Sequence, residues 1–246
     1  MAKVAIIGGS GLEDPNILKS AEINKLETPY GSVELTEGKI GNVDVVLLSR
    51  HGKRHTIPPT QVNNRANIWA LKEQGCDFIL ATTACGSLRE EIDRGHLVIL
   101  DQFIDFTKHR ITTFHDTFEN GEMKHTPMAD PFDEKIRKLL ISSAEELNIN
   151  HHKKGTVISI EGPRFSTRAE SNMFRMWGAD VINMSVAPEV ILANEIGIPY
   201  AAIAMSTDYD CWKTDEEAVT WEAVLEIFKE NVHNVIDLLL TTLKKI

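Results

Sequence analysis

The chain has 246 residues, a formal net charge of −10, 42% hydrophobic and 25% charged residues. That balance is ordinary for a globular protein and excludes a disordered chain. The acidic total also sets aside general nucleic-acid and anionic-membrane binders, which are basic as a rule.

The N-terminal MAKVAIIGGSG holds too short an apolar stretch for a signal peptide or a membrane span, and reads as a first strand, Val4–Ile7. Further apolar runs of strand length follow at Val43–Leu48, Phe78–Thr82, Leu97–Leu100, Thr156–Ile160, Val181–Asn183 and Ile198–Met205. Between them lie helical patterns at Asn63–Glu73, Asp133–Leu147, Val186–Glu195 and Thr214–Leu243. Capping-box spacing at Ser87–Glu90, Thr167–Glu170 and Thr214–Glu217 predicts three helix starts. The segment Asp105–Asp130 lacks periodicity, is rich in His, Thr and Asp, and predicts a long functional loop. Strands alternating with helices predict an α/β fold whose sheet is covered on both faces. No linker, repeat or low-complexity tract interrupts it, so residues 1–246 read as one domain. Cys76, Cys85 and Cys211 form no CxxC pair, which argues against a disulfide framework or a zinc site and fits a reducing cytoplasm.

Six segments at strand ends carry polar chemistry, and open α/β sheets bind ligands at such ends. Gly8-Gly9-Ser10-Gly11 follows the first strand and offers an anion nest, although a plain turn fits it too. Its spacing does not meet GxGxxG, and no Walker motif is present. Ser49-Arg50-His51-Gly52-Lys53-Arg54-His55 gathers basic groups in an acidic protein, as an anion site or as a solvated turn. In Thr82-Thr83-Ala84-Cys85-Gly86-Ser87, small residues leave room for a ligand and the hydroxyls can bond it. Cys85 is read as a small buried hydrophobe, not as a nucleophile. Glu161-Gly162-Pro163-Arg164-Phe165-Ser166 places a phenylalanine before a capped helix, suited to stacking on a planar base or to the core. Ser185 is read as the N-cap of helix Val186–Glu195, another anion site. Asp208 and Asp210 close the last apolar run. Two carboxylates there need partners, as a ligand-reading pair, a salt-bridged pair or caps. A metal pair would need further acids or histidines at suitable spacing, which the segment lacks.

Taken together, "IIGGSGL", "SRHGKRHTIPP", "NIWALKEQGC", "TTACGSLREEI", "DQFIDFT", "HTPMADPF", "IEGPRFSTRAESNMFRMWGADVINMS" and "MSTDYDCWK" resemble the trimeric purine nucleoside phosphorylase family. The likeness runs in order from about Val4 to about Leu243, and is closest to the branch that acts on S-methyl-5′-thioadenosine. It implies an α/β domain with a mixed, barrel-like central sheet flanked by helices. It also implies phosphorolysis to adenine and 5-methylthioribose 1-phosphate, with phosphate as co-substrate and no metal or organic cofactor. A homotrimer, or a hexamer built from two trimers, is expected.

By the same resemblance Ser10, Arg50, His51, Thr83, the Ala84 amide and Ser185 hold phosphate, and His51 also serves catalysis. Met184 lies against the ribose and Phe165 on the purine, with Ser166 and Thr207 beside it. Asp208 shares a proton with purine N7, and Asp210 accepts from the 6-amino group. Trp221, Val224 and a neighbouring subunit's His125 line the 5′ end. Ser10 and Ser185 stand where some members carry threonine, keeping the hydroxyl. Some members continue beyond the position of Ile246 with a segment reaching a neighbour's 5′ pocket, and some carry a small aliphatic residue at the position of Trp221. Both differences predict a broader 5′ preference that admits adenosine. The alternatives are a 6-oxopurine nucleoside or methylthioinosine phosphorylase, a nucleosidase using water, and a noncatalytic nucleotide-binding module.

Overall fold

A computed structural model describes residues 2–9, 18–215 and 220–246, with the side chains of Trp221 and Glu230 outside that description. The strands are β1 (Lys3–Gly8), β2 (Lys19–Thr28), β3 (Gly31–Ile40), β4 (Val43–Ser49), β5 (Phe78–Ser87), β6 (Leu97–Ile99), β7 (Gln102–Phe106), β8 (His151–His152), β9 (Thr156–Ile160), β10 (Val181–Asn183) and β11 (Tyr200–Asp208). The helices are α1 (Asn64–Glu73), α2 (Glu134–Glu146), α3 (Arg168–Met176), α4 (Val186–Glu195) and α5 (Trp221–Leu243). Among the described residues no helix is long and apolar enough to cross a membrane.

All the strands join one mixed sheet in the order β2-β3-β4-β1-β5-β10-β9-β7, with β11, β6 and β8 branching from β5. Strand β5 is the hub, pairing with β1, β11 and β10. The pleat explains how β1 is buried on both sides. Ala5 and Ile7 face a core shared with Ala66, Ile68 and Leu71 of α1 and Val186 and Val190 of α4. Val4 and Ile6 face another, shared with Ile136 and Leu140 of α2 and Phe228, Val235 and Leu238 of α5. A third cluster, with Ile158, Phe174, Tyr209 and Trp212, supports the end of β11.

Helix α1 starts on Asn63, whose side chain accepts from the Ala66 amide, and α2 on Asp133, which accepts from Ile136. The Thr167–Glu170 capping box forms in full at α3. The box at Ser87–Glu90 does not start a helix. Ser87 ends β5, its hydroxyl donates to the Arg89 carbonyl and accepts from the Arg89 amide, and its own carbonyl accepts from Trp212. A serine that closes a local turn competes with the cap it resembles. The box at Thr214–Glu217 lies partly outside the described residues, and α5 begins instead at Trp221 with Thr220 as its cap. Of the expected loop, Asp105 and Phe106 end β7. The hairpin β2–β3 has no apolar run to announce it, since β2 is largely exposed.

Strands β1, β4, β5 and β11 run parallel, so their C-terminal ends emerge on the same edge. Between Ser206 and Asp208 the β11–β5 register shifts, leaving Thr207 without a pairing partner. A bulge of this kind re-aims side chains at a strand end. Here it delivers Thr207 and Asp208 to the same cleft.

Candidate active site

A half-open cleft of about 140 Å³ lies at these strand ends. Arg50 and His51 enter it from the end of β4, Thr83–Gly86 from β5, and Met184 and Ser185 from the β10–α4 junction. Phe165 and Ser166 come from the turn before α3, and Thr207, Asp208 and Asp210 from the end of β11.

One end of the cleft is built around a buried arginine. The Arg50 guanidinium is 2% exposed and forms a two-pronged pair with Glu189 of α4: Nε donates to Oε1, and Nη2 to Oε2 at 3.0 Å. Nη1 donates to the Thr82 carbonyl at 3.0 Å, and Tyr200 donates to Glu189 Oε2 at 2.8 Å. Planar arginine suits such a fork, and its orientation is thereby fixed. Beside it, His51 Nδ1 lies 2.8 Å from the Ile57 carbonyl. A carbonyl only accepts, so Nδ1 carries the proton and the neutral ring presents Nε2 as an acceptor. Burial, reinforced by the Arg50 charge, pushes the His51 pKa down to about 4, so the ring is neutral at pH 7. At neutral pH the ring therefore offers the cleft an acceptor, not a second donor.

The hydroxyls next to Arg50 are held in a chain. Ser159 donates to Asn183 Oδ1 at 2.7 Å, Asn183 Nδ2 donates to Thr83 Oγ1 at 3.3 Å, and Thr83 Oγ1 meets Ser185 Oγ at 3.2 Å. Ser185 does occupy the N-cap position of α4, yet its hydroxyl makes no cap bond. Ser159 accepts from the Ala187 amide in its place.

The opposite end carries the acids. Asp208 Oδ2 accepts from the Thr207 hydroxyl and Oδ1 from the Asp210 amide, each at 2.8 Å. Burial nevertheless raises its pKa to about 6, with the Asp210 charge adding to the rise. Asp210 is also raised by burial. The Ser171 and Ser166 hydroxyls, both buried beside it, offset part of that rise. Phe165 is 41% exposed at the cleft wall, so it is not a core phenylalanine. Cys85 is buried, and burial raises its thiol well above the ordinary range, which removes it as a nucleophile at neutral pH. Among the described residues no group of three or more His, Cys, Asp and Glu is placed to hold a metal ion.

The cleft thus gathers Arg50, His51, Thr83, Ala84, Ser185, Phe165, Ser166, Met184, Thr207, Asp208, Asp210 and Val224 of the residues expected from sequence. Ser10 and the Trp221 side chain lie outside the described residues. His125 does not line the cleft of its own chain and instead sits in the long loop, its ring against Phe118 at 5.9 Å. Sequence reasoning missed Glu189, which looked like any acid in the first turn of a helix. It also passed over Ile160 and Ile182 as cleft walls, while His55, part of the basic segment, does line the cleft.

Gly86 tests how tightly Asp208 is held. A Cβ there would lie 2.8 Å from Asp208 Oδ1 and 3.0 Å from Ile182 Cγ2. Gly86→Ala is expected to displace the carboxylate and lower kcat by about tenfold or more, because misplacement of that size disrupts alignment. The cost is a site cost, so the melting temperature should shift by only a few degrees, on the order of 1 kcal/mol. Steady-state assay and thermal melting read the two effects separately.

A mixed sheet thus brings a buried, oriented arginine and a pair of largely buried carboxylates to one cleft at its strand ends. The chain belongs to the phosphorylase superfamily, whose family model matches residues 3–244. Its relatives include S-methyl-5′-thioadenosine phosphorylase of Xenopus tropicalis, 59% identical over 99% of this chain and 89% of that protein. The enzyme of the same name from Danio rerio is 56% identical over the same shares. Among solved structures, methylthioadenosine phosphorylase from Schistosoma mansoni in complex with adenine superposes with a TM-score of 0.93 at 44% identity, covering 98% of this chain and 91% of that one. A mutant of the adenosine/methylthioadenosine phosphorylase of that organism, in complex with methylthioadenosine, gives 0.92 at 44% identity, covering 98% and 90%.

Proposed function

We propose that this chain catalyses phosphorolysis of S-methyl-5′-thioadenosine, releasing adenine and 5-methylthioribose 1-phosphate. The carrying observation is the pairing of a raised carboxyl, Asp208 at about 6, with a fixed arginine-centred anion end in one cleft. Relatives of that name at 59% and 56% identity support the substrate.

The C1′–N9 bond breaks as a phosphate oxygen attacks C1′, so positive charge develops on the sugar and negative charge on the base. An enzyme must brace both. Arg50, Thr83, Ser185, the Ala84 amide and Ser10 donate to phosphate. His51 Nε2 accepts from the hydroxyl of hydrogen phosphate, which orients the oxyanion face toward C1′. Because Glu189 pairs with Arg50, the site reads phosphate by directed hydrogen bonds more than by net charge. Short-range bonds of this kind are compatible with a net charge of −10. The Asp208 acid supplies a proton to N7 as the base departs. Asp210, as carboxylate, accepts from the 6-amino group, Phe165 packs on the ring, and Ser166 bonds the purine edge. Met184 supports the ribose, while Val224 and Trp221 border the 5′ group.

The whole chain acts as one phosphorylase domain, cytoplasmic, without metal or organic cofactor. It works as a homotrimer or a hexamer, and a neighbour supplies His125 to the 5′ pocket, since that residue stands away from its own cleft. A panel of methylthioadenosine, adenosine, methylthioinosine and inosine with phosphate tests the base assignment. The 6-amino substrates should exceed their 6-oxo counterparts in kcat/KM by about a hundredfold, as for a site built around an amino donor. Faster 6-oxo cleavage would overturn it in favour of a 6-oxopurine phosphorylase.

A further inference from the structure

The long segment after β7 is not a free loop. Lys108 and His109 donate their backbone amides to Glu161 Oε2 at 2.6 and 3.1 Å. Glu195 at the end of α4 accepts from the Thr113 hydroxyl at 2.8 Å and the Phe114 amide at 2.7 Å. Arg65 of α1 grips Asp116 with both carboxylate oxygens within 2.9 Å. These anchors make the segment a strap across the sheet edge.

At the centre of the strap is Arg110, whose side chain is 3% exposed. Its Nε donates to Glu161 Oε1 at 2.9 Å, and its Nη2 to the Glu161 carbonyl. Its Nη1 donates to the Met184 carbonyl at 3.1 Å. A buried guanidinium thus ties three chain segments with charge-assisted bonds. Met184 is one of the residues lining the cleft, and its thioether packs where a side chain at Gly162 would collide. Gly162 has φ +68, a conformation glycine adopts without strain. Met184 is therefore held twice, by its carbonyl and by its sulfur, and both holds depend on the Glu161–Gly162 turn.

We propose that Arg110 is a positioning residue for the sugar end of the cleft: by fixing the Met184 carbonyl it sets the Met184 backbone and thioether against the ribose. Arg110 does not line the cleft, so it acts only through Met184 and Glu161. The inference rests on the proposed nucleoside site, where Met184 supports the ribose. Of the proposed phosphate donors, Arg50 is oriented by Glu189 and the Thr82 carbonyl, and Thr83 by Asn183, while Ser185, which follows Met184 directly, has its hydroxyl held by Thr83 at 3.2 Å. The strap thereby gives nucleoside recognition a support separate from that of phosphate.

The test is a split between the two KM values in phosphate-dependent adenine release from methylthioadenosine. In Arg110→Met the nucleoside KM should rise about tenfold, the scale expected when an orienting hydrogen bond is lost. The phosphate KM should stay within about twofold, because Arg50 and Thr83 keep their own supports and the Ser185 hydroxyl stays bonded to Thr83. Arg110→Lys keeps a charge opposite Glu161 but lacks the three-way fork, and should show the same split at about threefold. It carries the test by itself if Arg110→Met yields no folded protein. An unchanged nucleoside KM in Arg110→Lys, or equal rises in both KM values, overturns the proposal. The wild-type chain is assayed alongside: its failure to release adenine would strike the function itself, whereas an active wild type with unaltered variants strikes only the role of Arg110.

Discussion

Asp208→Asn should lower kcat by about a hundredfold or more, the usual cost of removing a general acid, and leave the phosphate KM nearly unchanged. Asparagine fits the site: its oxygen can accept the Asp210 amide, and its NH₂ can donate to a Thr207 hydroxyl turned toward the Cys85 carbonyl, 3.2 Å away. The loss would therefore be chemical, not structural. Wild-type kcat/KM for the nucleoside should fall as pH rises through about 6, where the Asp208 acid form is lost. The variant should lack that limb. Stability falls in the same direction. The folded pKa of Asp208 lies above its ordinary 3.8, so the folded state holds this proton longer, and stability is lost as pH rises from about 3.8 to about 6, above which the buried charge carries its full cost. Above that pH the neutral Asn variant should melt a few degrees higher than wild type, on the order of 1 kcal/mol. A variant with near-normal adenine release would refute the proton-sharing role.

Arg50→Met should be the most damaging single substitution in both activity and stability. It deletes the central phosphate donor, and it also leaves Glu189, 2% exposed, as a buried charge without its cation. Breaking a buried pair from one side costs about 3–5 kcal/mol, whereas removing both charges is often neutral. Arg50→Met combined with Glu189→Gln should therefore regain most of the lost melting temperature. Tyr200 can donate to the glutamine oxygen as it now does to the carboxylate. Phosphate-dependent turnover should stay lost in the double variant, because no guanidinium faces the anion. Equal instability of the single and double variants would show that the pair is not what holds this end together. Recovered turnover would remove Arg50 from the phosphate site.

The frame of the molecule was legible because burial wrote it into the chain. Val4–Ile7 and Phe78–Thr82 are continuous apolar runs since both faces of β1 and β5 are covered, and each run named from sequence overlaps a strand. The β2–β3 hairpin escaped because it presents β2 to solvent and needs no such run. Ser87 misled because the same hydroxyl that caps a helix can close a turn. Much of the cleft could be located from segments at strand ends, and the family resemblance named the side chains within them. What pattern cannot supply is partnership. Glu189 meets Arg50 across 139 positions, and Arg110 meets Met184 across 74. The tautomer of His51 is set by one carbonyl, Ile57 O, and nothing in SRHGKRH predicts it.

In the proposed reaction phosphate, not water, takes the sugar. The direct measurement is adenine release from methylthioadenosine with and without inorganic phosphate, together with the amount of sugar phosphate formed. Release is expected only with phosphate present, with equal amounts of adenine and 5-methylthioribose 1-phosphate. Adenine released at the same rate in phosphate-free buffer, with free 5-methylthioribose as the other product, would contradict it.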